Sequence, residues 1–188
     1  MIVTITAVES YQLALIASRH SSPKLVEVNW LQVGDSWHSS KSISKLKKHY
    51  GLVDQDFTFI AQNSLSKDEP AQALLIEAIA QLTAYFKDER QAFDLPLDIS
   101  LGTDFQQRVW QQLQKIPHGV TISYATLAQR VGNPKGFRAV ANANGKNPFS
   151  VIIPCHRVIA SDGKLGGYTG GLDKKEYLLA LEGVTYKT

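Results

Sequence analysis

The stretch SYATLAQRVGNPKGFRAVANANG, residues 123–145, decides the fold of the C-terminal half of the chain. Ser123 is a typical N-cap residue in front of a helical run that Gly132 ends. Asn133 and Pro134 then supply a cap and a first helical position for a second helix, which runs to the end of the stretch. Two short helices joined by a Gly-Asn-Pro turn are typical of a helix-turn-helix. A DNA-binding motif and a helical hairpin that only packs both fit this pattern.

The residues upstream predict a further helix and, before it, a sheet. Thr103 and Gln106 have the spacing of a capping box, and the helix that follows has an apolar stripe made of Phe105, Val109, Leu113 and Ile116. Alternating or apolar runs predict strands at residues 2–8, 11–18, 25–33 and 57–61. The polar segment after the third strand predicts a loop and a short basic helix, and Pro70 opens a long helix.

The segment QAFDLPLDISLG, residues 91–102, has the composition of a connector. We therefore predict two domains, an N-terminal α/β domain over residues 1–91 and a C-terminal helical domain over residues 92–188. Residues 1–100 contain 9 Lys and Arg against 12 Asp and Glu, whereas residues 101–188 contain 11 against 5. This balance favours a polyanionic partner for the C-terminal half, although lysines scattered over a solvated surface produce it too.

The composition argues against several classes of protein. Of the 188 residues, 44% are hydrophobic and 20% charged, which is typical of a globular chain. The N-terminal residues include neither a basic segment nor a long apolar run, so we expect no membrane partner and a cytoplasmic location, associated with the nucleoid in a prokaryote. The single cysteine cannot form an internal disulfide, and it argues against a structural zinc site.

That cysteine, Cys155, lies in the stretch VIIPCHRVIASDGKLGGYTGG, residues 151–171. The three apolar residues before Pro154 predict a short strand, and the proline fixes the backbone next to the thiol. Cysteine reacts as a thiolate, which a base or a cation favours, and His156 and Arg157 are of these types. Adjacent side chains diverge, so a water is the expected link between the imidazole and the thiol. An inert buried cysteine beside a core histidine fits the same residues.

Two features downstream belong to the same candidate site. Glycines around Tyr168 let a ligand approach the backbone closely, and the tyrosine ring can stack on a flat molecule. The sequence GxxxxGK[ST], which binds phosphate, does not occur, and an ordinary flexible loop also fits the glycines. Glu182 in the last helix can orient a histidine, but a solvated helix end explains it equally well.

The segments IPCHRVI and GGYTGGLDKKEYLLALEG resemble the O6-alkylguanine-DNA alkyltransferase family, also called methylated-DNA–protein-cysteine methyltransferases. The resemblance covers residues 101–183, including the helix-turn-helix. It implies an N-terminal ribonuclease-H-like α/β domain and a C-terminal winged-helix-like DNA-binding domain. It also implies DNA repair by direct reversal: after base flipping, the O6-alkyl group of guanine, or the O4-alkyl group of thymine, passes irreversibly to the protein's own cysteine. The implied partner is double-stranded DNA bound by a monomer, with no cofactor and no metal.

The resemblance also assigns catalytic roles. Cys155 is the alkyl acceptor, and His156 takes its proton through a water. Glu182 holds the imidazole, and Asn147 braces the turn that leads to the cysteine. The implied catalytic group is completed by Tyr124, which donates to guanine N3 and crowds the phosphate, and by Lys175 near the pocket.

DNA contacts and a guanine pocket follow from the same resemblance. Arg138 is the finger that fills the stack after the base leaves, and the other implied DNA contacts are Tyr124, Ser123, Lys135 and Ala139. The carbonyls of Cys155 and Val158 read the exocyclic amine, and the amide of Thr169 contacts O6. The implied pocket is lined by Pro154, Val158, Tyr168 and Thr169.

Two positions depart from the family pattern. Gly136 stands where the family often has alanine, which weakens helix propensity by about 1 kcal/mol, and Phe137 is bulkier than expected beside Arg138.

Two other functions stay open on the residues alone, namely a helix-turn-helix module that flags damaged DNA and a cysteine hydrolase. Alkyltransferase-like binding proteins have tryptophan in place of the cysteine, and Cys155 therefore favours the enzyme.

Overall fold

The first unit of the chain contains a four-stranded sheet built from apolar runs of the sequence. The structure is a computed structural model, and it describes residues 1–31, 36–39 and 41–187. The strands are β1 Ile2–Val8, β2 Tyr11–Ala17, β3 Leu25–Leu31 and β4 Thr58–Phe59. Their order is β3-β2-β1-β4, with β1 to β3 antiparallel and β4 parallel to β1. Each lies where the sequence predicts a strand. The predicted part of the third strand beyond Leu31 lies outside the described residues.

Two helices pack against this sheet. Helix α1, Lys41–Tyr50, contributes Ile43 and Leu46 to a cluster that also contains Trp37 and apolar side chains of β1, β2 and β3. Helix α2, Pro70–Phe86, packs on β1 and β2. Its N-cap is Glu69, whose carboxylate accepts a hydrogen bond from the amide of Gln72 at 2.8 Å. Proline at the first position and a side-chain cap in front of it explain why α2 begins there.

The remaining elements form a mainly helical unit. They are α3 Asp104–Leu113, β5 Ile122–Ser123, α4 Tyr124–Arg130, α5 Phe137–Gly145, β6 Val158–Ile159 and α6 Leu172–Leu181. Strands β5 and β6 pair in parallel. The predicted capping box of Thr103 and Gln106 starts α3, and the hydroxyl of Ser123 accepts from the amide of Thr126 at 3.0 Å to start α4. The predicted class, an α/β domain followed by a helical domain, is confirmed. No helix in the described ranges has the length and apolar character needed to cross a membrane.

The two units are Met1–Leu101 and Gly102–Thr188, so the first unit ends later than the predicted residue 91. The connector stays with the sheet because it pairs with the start of β3. The amide of Leu25 donates to the carbonyl of Pro96 at 2.8 Å, and the amide of Asp98 donates to the carbonyl of Leu25 at 2.8 Å. These contacts join residues far apart in sequence, which composition alone does not reveal.

Two local predictions in the second unit are wrong. The second helix of the helix-turn-helix begins at Phe137, because the preceding residues form a turn in which the amide of Gly136 donates to the carbonyl of Asn133 at 2.9 Å. The apolar residues before Pro154 form a buried turn instead of a strand. Val151 has a φ of 71°, and the amide of Ile153 is used within the turn.

Trp110 of α3 lies at the centre of the second unit. Its side chain is fully buried, and its indole N–H donates to the carbonyl of Ala143 in α5 at 2.9 Å. Gly102 approaches the indole so closely that a Cβ at this position would lie 2.4 Å from Trp110 Cζ3. The indole therefore ties α3 to α5, and the glycine makes room for it.

We expect Gly102→Ala to lower the free energy of unfolding by about 1–3 kcal/mol, because the added methyl group overlaps a buried ring that cannot move freely. Gly167→Ala is the matched control, since a Cβ at Gly167 meets no atom within 4 Å. Urea denaturation followed by circular dichroism measures both. A Gly102→Ala chain as stable as the control would contradict the close approach.

Candidate active site

The single cysteine follows the buried turn and begins a 3-10 helix, Cys155–Arg157. Its thiol is almost fully buried, and Cys155 Sγ accepts a hydrogen bond from Asn147 Nδ2 at 3.1 Å. The same amide nitrogen donates to the carbonyl of Ile153 at 2.8 Å, while Asn147 Oδ1 accepts from the amide of Phe149 at 2.9 Å. Asn147 thus fixes the turn and the sulfur with one side chain.

The surroundings of the thiol set its protonation. Burial raises the pKa of Cys155, and this effect is opposed by the hydrogen bond from Asn147, the positive charge of Lys175 and a hydrogen bond from Tyr168. Because burial is the largest of these effects, the resting group is a thiol. A base must remove its proton before the sulfur can act as a nucleophile.

His156 is the candidate for this base. Its side chain and that of Glu182 are both 0% exposed, and His156 Nε2 lies 2.9 Å from Glu182 Oε1. Burial lowers the pKa of His156, while the hydrogen bond and charge of Glu182 oppose that shift, so we assign a neutral imidazole. A carboxylate accepts, and the ring proton therefore resides on Nε2. Nδ1 is buried and has no hydrogen-bond partner among the described residues, which leaves its lone pair able to take a proton.

Glu182 is held by more than the histidine. Arg157 Nε donates to Glu182 Oε2 at 2.9 Å, and Arg157 Nη2 donates to Oε1 at 2.8 Å. The arginine also donates from Nη1 to the carbonyl of Ile116 at 2.6 Å, and the amide of Gly119 donates to Glu182 Oε2 at 3.1 Å. These donors keep the buried carboxylate ionised and fixed.

The sequence analysis named Arg157 as a cation near the thiol but did not predict its pairing with Glu182, although a signal was present. The arginine stands inside an apolar run, and a buried arginine needs a carboxylate partner. It also missed Asn144, a buried residue of α5 whose Nδ2 lies 3.4 Å from the carbonyl of Cys155. No local pattern distinguishes Asn144 from an ordinary polar helix residue.

Lys175 of α6 donates hydrogen bonds to the backbone of the glycine-rich loop that contains Tyr168. Its side chain is 0% exposed, and Nζ donates to the carbonyls of Val158 at 2.7 Å and Gly167 at 3.4 Å, and also to that of Leu165. Burial lowers the pKa of Lys175 to about 8. The group is therefore still mainly an ammonium at neutral pH, and it organises the loop that carries Tyr168.

Two hydroxyl groups connect this loop to the helix-turn-helix. Tyr124, the first residue of α4, donates to the carbonyl of Gly167 at 3.3 Å. Thr169 Oγ1 donates to the carbonyl of Gly145, the last residue of α5, at 2.6 Å. The ring of Tyr124 also covers Gly166, where a Cβ would lie 3.1 Å from Tyr124 Cε2. The loop is therefore bonded to α4 through Tyr124 and to α5 through Thr169.

Three of the expected DNA contacts lie at or just before the start of α5. Lys135 is exposed just before α5, and Arg138 and Ala139 are exposed in its first turn. Ser123 differs from them, because its hydroxyl is engaged as the cap of α4. Helix α5 thus runs from an exposed basic end to Asn144 beside the cysteine.

Within residues 1–31, 36–39 and 41–187, no three His, Cys, Asp or Glu side chains are grouped so that they could hold a metal ion. The arrangement instead combines a buried thiol, a neutral imidazole fixed by a carboxylate, and a helix-turn-helix with a basic end. This combination defines a class of protein in which a helix-turn-helix unit carries a buried thiol beside a fixed imidazole.

Comparison with known proteins agrees with that class. Residues 104–184 match the model of the 6-O-methylguanine DNA methyltransferase DNA-binding domain, and residues 25–99 match that of the ribonuclease-like domain of the same enzymes. The chain therefore belongs to the 6-O-methylguanine DNA methyltransferase family, as its resemblance implied.

Individual relatives show how far the similarity extends. The methylated-DNA–protein-cysteine methyltransferase of Mycolicibacterium paratuberculosis is 54% identical over 105 residues, which are 56% of this chain and 63% of that protein. The protein of the same name from Methanosarcina acetivorans is 53% identical over 107 residues, 57% of this chain and 68% of that protein. The first of these matches thus spans less than two thirds of the relative.

Solved structures extend the similarity to nearly the whole chain. A crystal structure of Mycobacterium tuberculosis OGT in complex with DNA is 36% identical, has a TM-score of 0.72, and is matched over 97% of this chain and 92% of that one. The O6-methylguanine-DNA methyltransferase of Pyrococcus kodakaraensis is 26% identical, with a TM-score of 0.61, over 97% and 99%. Both units of the fold are therefore those of the family.

We expect Lys175→Met to lower the free energy of unfolding by about 1–3 kcal/mol, because it removes the ammonium donor to the buried carbonyl of Val158 while keeping the side-chain volume. Lys164→Met is the matched control, since Lys164 lies in the same loop and is exposed. Urea denaturation at neutral pH measures both variants. Equal stability of the two would show that the ammonium does not hold the loop.

Proposed function

We propose that this protein repairs DNA by moving the alkyl group from O6 of guanine to Cys155 in one irreversible turnover, and that O4-alkyl thymine is a further substrate. The observation that carries the proposal is the buried thiol, bonded to Asn147 and followed directly by the His156–Glu182 pair. Membership of the methyltransferase family supports it. The proposed partner is double-stranded DNA, and the proposed location is the cytoplasm. We further propose that the protein acts as a monomer, because one chain supplies the whole site.

Activation of the thiol is the first step. His156 Nδ1 takes the proton of Cys155 through one water, and the resulting imidazolium is stabilised by the Glu182 carboxylate. Asn147 donates to the sulfur throughout and thereby favours the thiolate that forms. Lys175 adds a positive charge near the sulfur. The thiolate therefore exists mainly when the base is in place, which limits reaction with other electrophiles.

Transfer is a displacement at the alkyl carbon. The bond between Sγ and this carbon forms as the bond from the carbon to O6 breaks, and the electron pair of the broken bond stays on the guanine. Guanine leaves poorly unless donors stabilise the developing charge. The hydroxyl of Tyr124 at N3 and the amide of Thr169 at O6 are the proposed donors. Guanine takes up one proton, which balances the proton lost by the thiol, and the thioether has no hydrolytic exit.

The structure gives Tyr124 a second task before DNA arrives. Its hydroxyl donates to the carbonyl of Gly167 in the loop, so a guanine in the pocket must compete for this donor. The carbonyl of Val158, which we propose reads the exocyclic amine, already accepts from Lys175. A carbonyl oxygen has two lone pairs and can accept both bonds. Tyr168 and Pro154 complete the proposed pocket around the base.

The exposed start of α5 is the proposed DNA-binding end of the unit. Arg138 enters the duplex and fills the stack after the alkylated base has left, and Lys135 and Ala139 contact the backbone and groove beside it. Ser123 acts by capping α4 and so placing Tyr124. The basic charge of residues 101–188 supports a polyanionic partner at this unit.

We expect incubation with duplex DNA containing O6-methylguanine to add the mass of about one methylene group to Cys155, at one equivalent and without turnover. Cys155→Ser is the matched control and should stay unmodified while still binding the DNA. Intact-protein mass spectrometry and peptide mapping measure the result.

Other outcomes identify the alternatives. A wild-type chain that binds the lesion but stays unmodified would support a damage-flagging module and contradict the transferase. Repeated turnover on an ester substrate would point to a cysteine hydrolase.

A further inference from the structure

The start of α5 exposes an aromatic side chain that the proposed reaction does not use. Phe137, the first residue of the helix, is 49% exposed. Its neighbours Arg138 and Ala139 are exposed as well, and Lys135 precedes them. The helix tip therefore presents a ring between cations.

The turn before α5 places this residue at the start of the helix. The side chain of Asn133 folds over Gly136 so closely that a Cβ at the glycine would lie 2.1 Å from Asn133 Nδ2. A side chain at this position would therefore have to displace that of Asn133. Phe137 is the first large side chain after it, and no side-chain cap covers the helix start.

The ring is also coupled to the arginine finger. Arg138 Cζ lies 5.8 Å from the centroid of the Phe137 ring, which is the geometry of a cation–π contact. The contact holds two neighbouring side chains as one unit in the free protein. A guanidinium that is already paired with a ring loses less conformational freedom when it enters a groove.

We propose that Phe137 is a wedge that enters the duplex with Arg138 and unstacks the base pair beside the alkylated nucleotide. This inference rests on the proposed function and names a second residue for base flipping. The cations on both sides of the ring favour a polyanion over an apolar protein surface as its occupant. Apolar wedges inserted between base steps open them in the minor groove, and a ring gains stacking energy from the exposed base.

The two side chains then have different tasks. Phe137 lowers the cost of opening the stack, whereas Arg138 fills the space that the flipped nucleotide leaves. A substrate that needs no flipping, such as a free O6-alkylguanine base, gains nothing from the wedge. The contribution of Phe137 should therefore depend on the duplex and leave the chemistry at Cys155 unchanged.

The test compares Phe137→Ala, which removes the ring, with Phe137→Tyr, which keeps it. Phe59→Ala is the matched control, because Phe59 is a phenylalanine of similar exposure, 46%, in the other unit. Transfer rates are measured on methylated duplex DNA and on free O6-benzylguanine. Unstacking is measured in a Cys155→Ser background by the fluorescence of 2-aminopurine placed next to the lesion.

We expect Phe137→Ala to slow transfer from the duplex by about tenfold or more, the effect of losing one base–aromatic stack. Its rate on the free base should equal that of the wild type, and the 2-aminopurine signal should fall. Phe137→Tyr and Phe59→Ala should behave like the wild type in all three measurements.

Either of two results would overturn the wedge: an unchanged 2-aminopurine signal in Phe137→Ala, or equal losses on duplex and free base. The unstacking readout needs no alkyl transfer. A wild-type chain that opens the duplex but never modifies its cysteine would therefore contradict the proposed function and leave the wedge supported.

Discussion

The carboxylate of Glu182 is the group on which the rest of the second unit depends. It lies in the interior and accepts hydrogen bonds from the histidine next to the cysteine, from Arg157 and from the amide of Gly119. These donors belong to two separate segments, and Glu182 is itself the C-cap residue of α6. An ionised group out of water costs several kcal/mol unless its partners are complete. The hydrogen bonds that offset this cost also fix the imidazole of His156. The ring therefore takes its orientation when this part of the chain folds.

Helix α5 extends this constraint toward the DNA. One end presents Phe137 and Arg138, and the other contributes Asn144 to the carbonyl of Cys155. Trp110 anchors the helix between them through the carbonyl of Ala143. One packed helix therefore joins the exposed basic end to the segment that carries the cysteine. Stability and chemistry use the same contacts here, and substitutions of these residues should affect both.

The features that were predicted from the sequence are those that a few neighbouring residues determine. The capping box at Thr103 and the cap at Ser123 are visible because a few neighbouring residues specify a helix start. The site residues came from resemblance to a family, since nothing in the chain between Cys155 and Glu182 indicates that they meet. The turn before Pro154 was predicted as a strand because its apolar run looks the same in both conformations. The pairing of the connector with β3 and the bonds from Arg157 to Glu182 were not predicted for a related reason, since both are contacts between residues distant in sequence.

In the proposed reaction, Glu182 makes Cys155 reactive by holding His156. The most direct measurement is the rate of benzyl transfer from free O6-benzylguanine to Glu182→Gln, with Glu176→Gln, an exposed glutamate of the same helix, as control. We predict that this rate is about a hundredfold lower in Glu182→Gln than in the wild type at neutral pH. The difference between the two rates should become smaller as the pH is raised, because hydroxide then removes the proton of the thiol. Wild-type rates in a folded Glu182→Gln chain, at neutral and at alkaline pH, would contradict the account.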